Sequence, residues 1–144
     1  MAEPPPYDIE FYEDELGASP VYDWIAKELA PSLRRAIGVA MGEVLQYMGA
    51  GVCQTEMGKP LGDGLFEFRL RHDYDEIMGR RRPLYRRVYP RERVLLRVFF
   101  HPFGNKMLLL VGGYDKRRFP GPRRQQKEIA IARRRLEEWK ARRN

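Results

Sequence analysis

The sequence predicts an α+β fold, in which an antiparallel or mixed sheet of four to five strands is covered by helices. Strand-like alternation marks one segment near the N-terminus and others between residues 65 and 111. Two helical patterns lie between these segments, and a long amphipathic helix closes the chain. With 144 residues and 43% hydrophobic content, residues 1–144 fit one domain with its own core.

The N-terminal elements follow from alternation and from helix-start residues. Residues 1–6 are rich in proline and predict a flexible tail, and residues 7–12 alternate apolar and acidic side chains as a short strand does. A first helix is expected over residues 19–30, with Ser19 as the N-cap and Pro20 in the first turn.

A second helix is expected from Pro31 through residue 48, because its apolar residues form one stripe and Gly49 follows. Residues 58–64 are rich in glycine and predict a turn-rich connection. We therefore expect two N-terminal helices to pack on one face of the sheet.

The sheet is expected mainly after residue 64. Residues 65–71 alternate as a half-buried strand does, and residues 94–100 and 107–111 are strongly apolar strands joined by a hairpin at Gly104. The glycine pair beginning at Gly112 is expected to end the last strand, and 114–118 to form a polar exit.

Two further segments complete the chain. Residues 72–83 read as a polar loop and residues 84–89 as a candidate strand. The C-terminal helix is expected over about residues 122–143, with a narrow apolar stripe.

Charge is distributed unevenly along the chain. The net charge is +7, yet residues 1–31 carry −7 and residues 65–144 carry +14. A C-terminal half this positive is the electrostatic signature of a polyphosphate partner, most plausibly RNA or DNA.

Composition excludes several classes of protein. The single Cys53 excludes an internal disulfide and a multi-cysteine zinc site, and two histidines do not make a histidine-rich metal site. The sequence contains no run of 18 apolar residues and so predicts no transmembrane helix. We therefore expect no membrane partner and a cytoplasmic location. No Walker loop, dinucleotide motif or HExxH motif occurs, and we expect no metal and no cofactor.

An ordered set of short motifs runs along the chain. The motifs are Ser19-Pro20-Val21 with Trp24 and Leu29, the run from Leu61 to Arg69, Leu96-Arg97-Val98-Phe99-Phe100, Tyr114-Asp115-Lys116-Arg117, and the stretch from Pro122 through Glu128, Ala132 and Arg135. In this order the set resembles the RelE/ParE toxin superfamily, in particular its HigB-like, phage-associated branch. The resemblance covers roughly residues 7–140 and implies a RelE-like sheet.

The resemblance implies metal-independent, ribosome-dependent cleavage of mRNA by the toxin of a type II toxin–antitoxin system. By analogy, Arg69 and Arg97 would clamp the scissile phosphate, and Tyr114 would stack on a base or transfer a proton. Lys116 and Arg117 would hold the phosphate or the leaving oxygen. The implied partners are the ribosome, mRNA and a cognate antitoxin with a helix-turn-helix fold.

The sequence departs from the family between about residues 70 and 94, where the family has a short turn. This insertion contains Arg86, so either Arg97 or Arg86 is the family arginine; the hairpin that directly follows residues 94–100 favours Arg97. Arg71, Arg86, Arg133 and Arg134 are expected to bind RNA phosphates.

Simpler interpretations stay open for the same residues. Arg69 and Arg97 fit a solvent-facing sheet surface, paired with Glu67 or Glu92, and Asp115 fits either a general base or a local counter-charge. Two other functions remain: a ParE-like inhibitor of gyrase, and a non-catalytic, basic nucleic-acid-binding protein of phage origin.

Overall fold

The computed structural model describes residues 3–73 and 93–143, apart from the side chains of residues 72, 73 and 93. One mixed sheet of five strands dominates this part of the chain, in the spatial order β1-β5-β4-β3-β2. The strands are β1 (Asp8–Phe11), β2 (Gly58–Gly62), β3 (Leu65–Asp73), β4 (Arg93–Phe103) and β5 (Met107–Asp115). Only β1 and β5 are parallel, and the other neighbours are antiparallel. The predicted α+β class is confirmed.

Two helical segments connect β1 to β2. The first begins as α1 (Pro20–Asp23) and continues as a π-helical turn, Trp24–Glu28. The second comprises α2 (Pro31–Ala40), a π-helical turn (Met41–Leu45), α3 (Gln46–Met48) and a 3₁₀ turn (Gly49–Gln54). Pro20 and Pro31 occupy first turns as expected, but the Ser19 side chain makes no capping hydrogen bond. The C-terminal helix is α4 (Pro122–Arg143).

The helices lie on opposite faces of the sheet and form two cores. The two N-terminal segments cover one face, where Ile37 and Leu45 pack with Val98 and Phe100. Helix α4 covers the other face through Ala132 and Leu136. Both faces of β4 are therefore buried, which explains why this strand is almost continuously apolar.

Two elements differ from the expectation. Residues 58–64 include the edge strand β2 rather than only a turn, because a proline in the middle of the segment is tolerated at a sheet edge. Strand β5 does not end at Gly112 but runs through Gly113 to Asp115. A Cβ at Gly113 would lie 2.5 Å from the Trp24 ring, so these glycines admit the helices rather than ending the strand.

Strand β3 extends through Asp73, so residues 72 and 73 are not loop. The candidate strand at 84–89 and Arg86 lie outside the described residues. Within the described residues one helical stretch, Pro31–Gln54, is long and apolar enough to cross a membrane by length and composition alone. Ala36, Ile37 and Leu45 of this stretch are fully buried against the sheet, as in a core helix.

Candidate functional site

Three of the predicted site residues form one row across the sheet. Arg69 in β3 lies directly opposite Arg97 in β4, and Arg97 lies directly opposite Tyr114 in β5. Neighbouring strands are about 4.8 Å apart, so the three side chains start from adjacent backbone positions. Tyr114 packs in the core beneath α4, which identifies the face of the sheet to which the row belongs. We call Arg69, Arg97 and Tyr114 the cationic row.

A buried carboxylate holds the row together. Glu67 has no exposed surface, and its Oε1 accepts a hydrogen bond of 2.6 Å from Nε of Arg69. The same oxygen lies 3.8 Å from Nε of Arg97, within ion-pair range but beyond a hydrogen bond. The other oxygen accepts from Nε2 of Gln125 in α4 at 3.2 Å. One negative charge therefore faces two guanidinium groups.

Two polar atoms of the row are buried without a hydrogen-bond partner among the described residues. They are Nε of Arg97 and the hydroxyl oxygen of Tyr114, in side chains that belong to residues only 3% and 2% exposed. The only described hydrogen bond of the Arg97 side chain runs from Nη1 to the carbonyl of Leu96 at 3.3 Å. Leaving a buried donor or acceptor unsatisfied costs about 1–3 kcal/mol, so each such group calls for an explanation.

The pKa shifts describe the same imbalance of charge. Burial lowers the pKa of Arg97, and the charge of Glu67 offsets part of this effect. Burial and then the charge of Arg97 lower the pKa of Lys116, whereas burial raises the pKa of Tyr114. Each shift disfavours the charged form, and a bound anion would favour the charged form of the two cations.

Two more predicted residues stand at the rim of the row. Lys116 is half-buried just after β5, and its Nζ donates to Oε1 of Gln125 at 3.5 Å. Arg71 follows Arg69 on the same side of β3 and is exposed. The charges of Arg69 and Arg71 both contribute to the lowered pKa of Lys116, as expected of neighbours. The rim therefore offers solvent-accessible cations beside the buried ones.

The turn after β5 places the remaining candidates differently. Asp115 accepts hydrogen bonds at its Oδ1 from the backbone N–H groups of Arg117, at 3.0 Å, and Arg118, at 3.3 Å. This carboxylate therefore holds the turn, which suits the counter-charge interpretation better than that of a general base. Arg117 is exposed in this turn.

The arginines of α4 divide into structural and exposed ones. Arg133 donates to the carbonyls of Leu61 and Gly62, so it fastens α4 to the β2–β3 turn; its contact with RNA stays a prediction. Arg134 is exposed and remains accessible to phosphate. Arg135 donates to the carbonyl of Val111 at 3.0 Å, and burial lowers its pKa. The run of three arginines is therefore only in part a solvated face.

Two residues of the site, Glu67 and Gln125, are not predicted from the sequence. The sequence indicates Glu67 only as a surface partner of Arg69, although Glu67 shares one face of β3 with Leu65, and both are fully buried. No sequence signal marks Gln125, because its role depends on how α4 docks. Among the described residues no group of three or more His, Cys, Asp or Glu side chains is placed to hold a metal ion.

Comparison with known proteins adds no relative: no family model, no curated protein and no solved structure matches this chain.

Proposed function

We propose that this chain is a metal-independent endoribonuclease that cleaves mRNA at the ribosome, as toxins of the RelE/ParE superfamily do. The observation that carries the proposal is the cationic row, in which Arg97 and Tyr114 bury polar atoms that no described residue satisfies. An RNA phosphate has the acceptor oxygens and the negative charge that such a row lacks.

The chemistry requires three contributions that these residue types supply. The ribose 2′-oxygen attacks the adjacent phosphorus and loses its proton, the bond from phosphorus to the 5′-oxygen breaks, and the 5′-oxygen takes up a proton. Guanidinium groups of Arg69 and Arg97 hold the phosphate and stabilise the added negative charge of the phosphorane. The Tyr114 hydroxyl would take part in proton transfer, and Lys116 would contribute a further positive charge at the rim.

Substrate approaches this site from the rim. Arg97 and Tyr114 are almost fully covered, whereas the side chain of Arg69 is 23% exposed and Arg71 is exposed. Gln125 of α4 bridges Glu67 and Lys116 at this rim. A phosphate that binds Arg69 and Lys116 therefore lies next to the unsatisfied Nε of Arg97.

The charge distribution fits the partners of such a toxin in the cytoplasm. Residues 65–144 carry a net charge of +14, which suits both ribosomal RNA and an acidic antitoxin segment. Ribosome binding should weaken steeply with salt, because each phosphate contact releases counterions. An antitoxin with a helix-turn-helix domain would inhibit by covering the same positive surface.

Cleavage of mRNA on purified ribosomes tests the proposal. Tyr114→Phe and Lys116→Gln should each lower the single-turnover cleavage rate, on the order of 100-fold for loss of one charge-stabilising donor. Lys59→Gln, which removes an exposed positive charge from the edge strand β2, is the matched control and should leave the rate within a few-fold. Equal rates in all three variants would remove Tyr114 and Lys116 from the reaction.

A second candidate function is favoured by the burial of the row. Glu67 already pairs with Arg69, and Arg97 is 3% exposed, as in a structural ion cluster inside a non-catalytic, basic nucleic-acid-binding protein. RNA or DNA would then be bound by exposed arginines such as Arg134. In the same experiment this candidate predicts binding to ribosomes without cleavage products.

Inhibition of gyrase supercoiling without RNA cleavage would instead indicate the ParE-like activity.

A further inference from the structure

A cavity of about 630 Å³ opens at the edge of β5, on the far side of Tyr114 from Arg97. Strand β1 covers β5 only up to the pair Phe11–Leu110, so the last residues of β5 have no neighbouring described strand on that side. The helical residues 20–28 form one wall of this space and the first turns of α4 form another. We call it the edge cavity.

Backbone groups of β5 face the edge cavity. The N–H of Lys116 donates to the carbonyl of Leu95, and bonds in an antiparallel ladder alternate from residue to residue. Lys116 and Tyr114 therefore bond to β4 through their backbone groups, and Gly113 does not. The N–H and C=O of Gly113 point away from β4, towards the cavity that this residue lines. A strand edge of this kind offers one donor and one acceptor at a fixed spacing.

Aromatic rings supply the apolar surface of the edge cavity. Trp24 packs over Gly113 on one side, and Phe119, which is 36% exposed, lies on the other. The guanidinium of Arg124 lies 4.0 Å from the centroid of the Phe119 ring and 2.9 Å from a carboxylate oxygen of Glu128. Flat rings and guanidinium planes are the surfaces on which unpaired nucleobases stack.

Two charged groups of the cavity wall, the carboxylate of Glu28 and the guanidinium of Arg118, have no ionic or hydrogen-bond partner among the described residues. Asp115 holds the turn after β5, Glu128 pairs with Arg124, and Arg135 donates to Val111. Glu28 also lines the cavity, and its carboxylate has neither an ionic nor a hydrogen-bond partner among the described residues. A free carboxylate beside aromatic surface recognises a planar ligand that presents N–H donors.

We propose that the edge cavity binds a guanine base of the RNA strand, with Glu28 accepting from its N1–H and N2–H groups. Guanine is the base whose Watson–Crick edge carries two adjacent donors for one carboxylate. The cavity volume lies within the range of small-molecule sites. The proposal rests on the proposed function, because Tyr114 is the wall that the cavity shares with the cationic row.

Fluorescence of Trp24 gives a direct binding test that requires no cleavage. In a Trp139→Phe background Trp24 is the only tryptophan of the chain. Addition of GMP should quench it saturably, with a Kd on the order of tenfold lower than that of AMP or UMP, since a good bidentate contact discriminates by this amount. Ribose 5-phosphate should not quench it.

Variants assign the binding to the cavity. Phe119→Ala should weaken GMP on the order of tenfold through lost stacking, and Glu28→Gln should remove the preference over AMP. Tyr47→Ala, which removes an aromatic ring that is 43% exposed elsewhere, is the matched control and should change neither. Absence of quenching by GMP, equal quenching by ribose 5-phosphate, or a guanine preference that survives Glu28→Gln would each overturn the proposal.

The same measurements separate this proposal from the proposed function. GMP binding that depends on Glu28, in a chain that never cleaves RNA, would keep the base site and reject the nuclease. Cleavage of mRNA without GMP binding would reject the base site alone.

Discussion

Replacing Glu67 by glutamine should lower the free energy of unfolding by about 3 kcal/mol. The substitution keeps the size and one acceptor oxygen of the side chain but removes its charge. Two guanidinium groups, those of Arg69 and Arg97, then face no described counter-charge at 2.6 and 3.8 Å. Arg97 is 3% exposed, so solvent does not replace the lost carboxylate.

The magnitude follows from burial. Removing one partner of a buried ion pair costs about 3–5 kcal/mol, because the other charge is left uncompensated. The lower end applies here, since the Arg69 side chain is 23% exposed and reaches water. At the surface, Glu137 and Lys140 are paired at 3.7 Å with side chains 69% and 37% exposed. Glu137→Gln should therefore cost at most about 0.5 kcal/mol.

Urea unfolding followed by circular dichroism compares the two variants. Both substitutions replace a carboxylate by an amide, at a buried position in Glu67→Gln and at an exposed one in Glu137→Gln. A difference of less than about 1 kcal/mol would refute the assignment of Glu67 as the buried counter-charge. A triple variant, Glu67→Leu with Arg69→Met and Arg97→Met, should recover much of the loss, because apolar replacement of a complete buried ion cluster is often neutral. Additive losses would show that the three residues do not interact.

Two further variants probe the row and the strand that carries it. Tyr114→Phe should leave stability unchanged or raise it by up to about 1 kcal/mol, because it deletes a buried hydroxyl without a described partner. Burial raises the pKa of Tyr114 in the folded protein. The contribution of this residue to stability is therefore present below the usual pKa of about 10 and is lost as the pH rises through the pKa of the folded state. The melting temperature of Tyr114→Phe should accordingly fall less at alkaline pH than that of the unsubstituted protein. Gly113→Ala should destabilise by about 2 kcal/mol or more, because its Cβ would lie 2.5 Å from Trp24 and 2.9 Å from the carbonyl of Arg97. Gly38→Ala, in a helix with nothing within 4 Å of the new Cβ, should stabilise by about 0.5–1 kcal/mol in urea titrations; destabilisation would contradict this assignment of space.

Strand alternation accounts for what the sequence predicted well. The period of two assigns Glu67, Arg69 and Arg71 to one face of β3, and in the structure Glu67 bonds to Arg69 on that face. The alternation carries no information about burial, so it did not show that this face lies beneath α4. Which arginine of β4 faces Arg69 depends on the pairing register, a property of two strands together.

The pairing register places Arg69 and Arg97 well inside a regular ladder. Strands β3 and β4 are paired from Phe66–Phe100 to Asp73–Arg93, and the pair Arg69–Arg97 lies four residues inside that end. Arg86 lies outside the described residues, so the choice between Arg97 and Arg86 stays a prediction.

Stability gives no reason for the cationic row. A buried ion cluster is often no more stabilising than apolar side chains of similar size. On the same face of the sheet the apolar side chains Phe99, Leu109 and Val111 are fully buried. A row with unsatisfied atoms in this position therefore lowers stability, as functional sites often do. Strand β5 has a second feature that does not serve stability, because its edge beyond Leu110 faces the edge cavity instead of a neighbouring strand. With strands about 4.8 Å apart, Arg97 and the cavity lie within roughly 10 Å of each other across Tyr114. One nucleotide spans that distance, so its phosphate would bind at the cationic row while its base occupies the edge cavity.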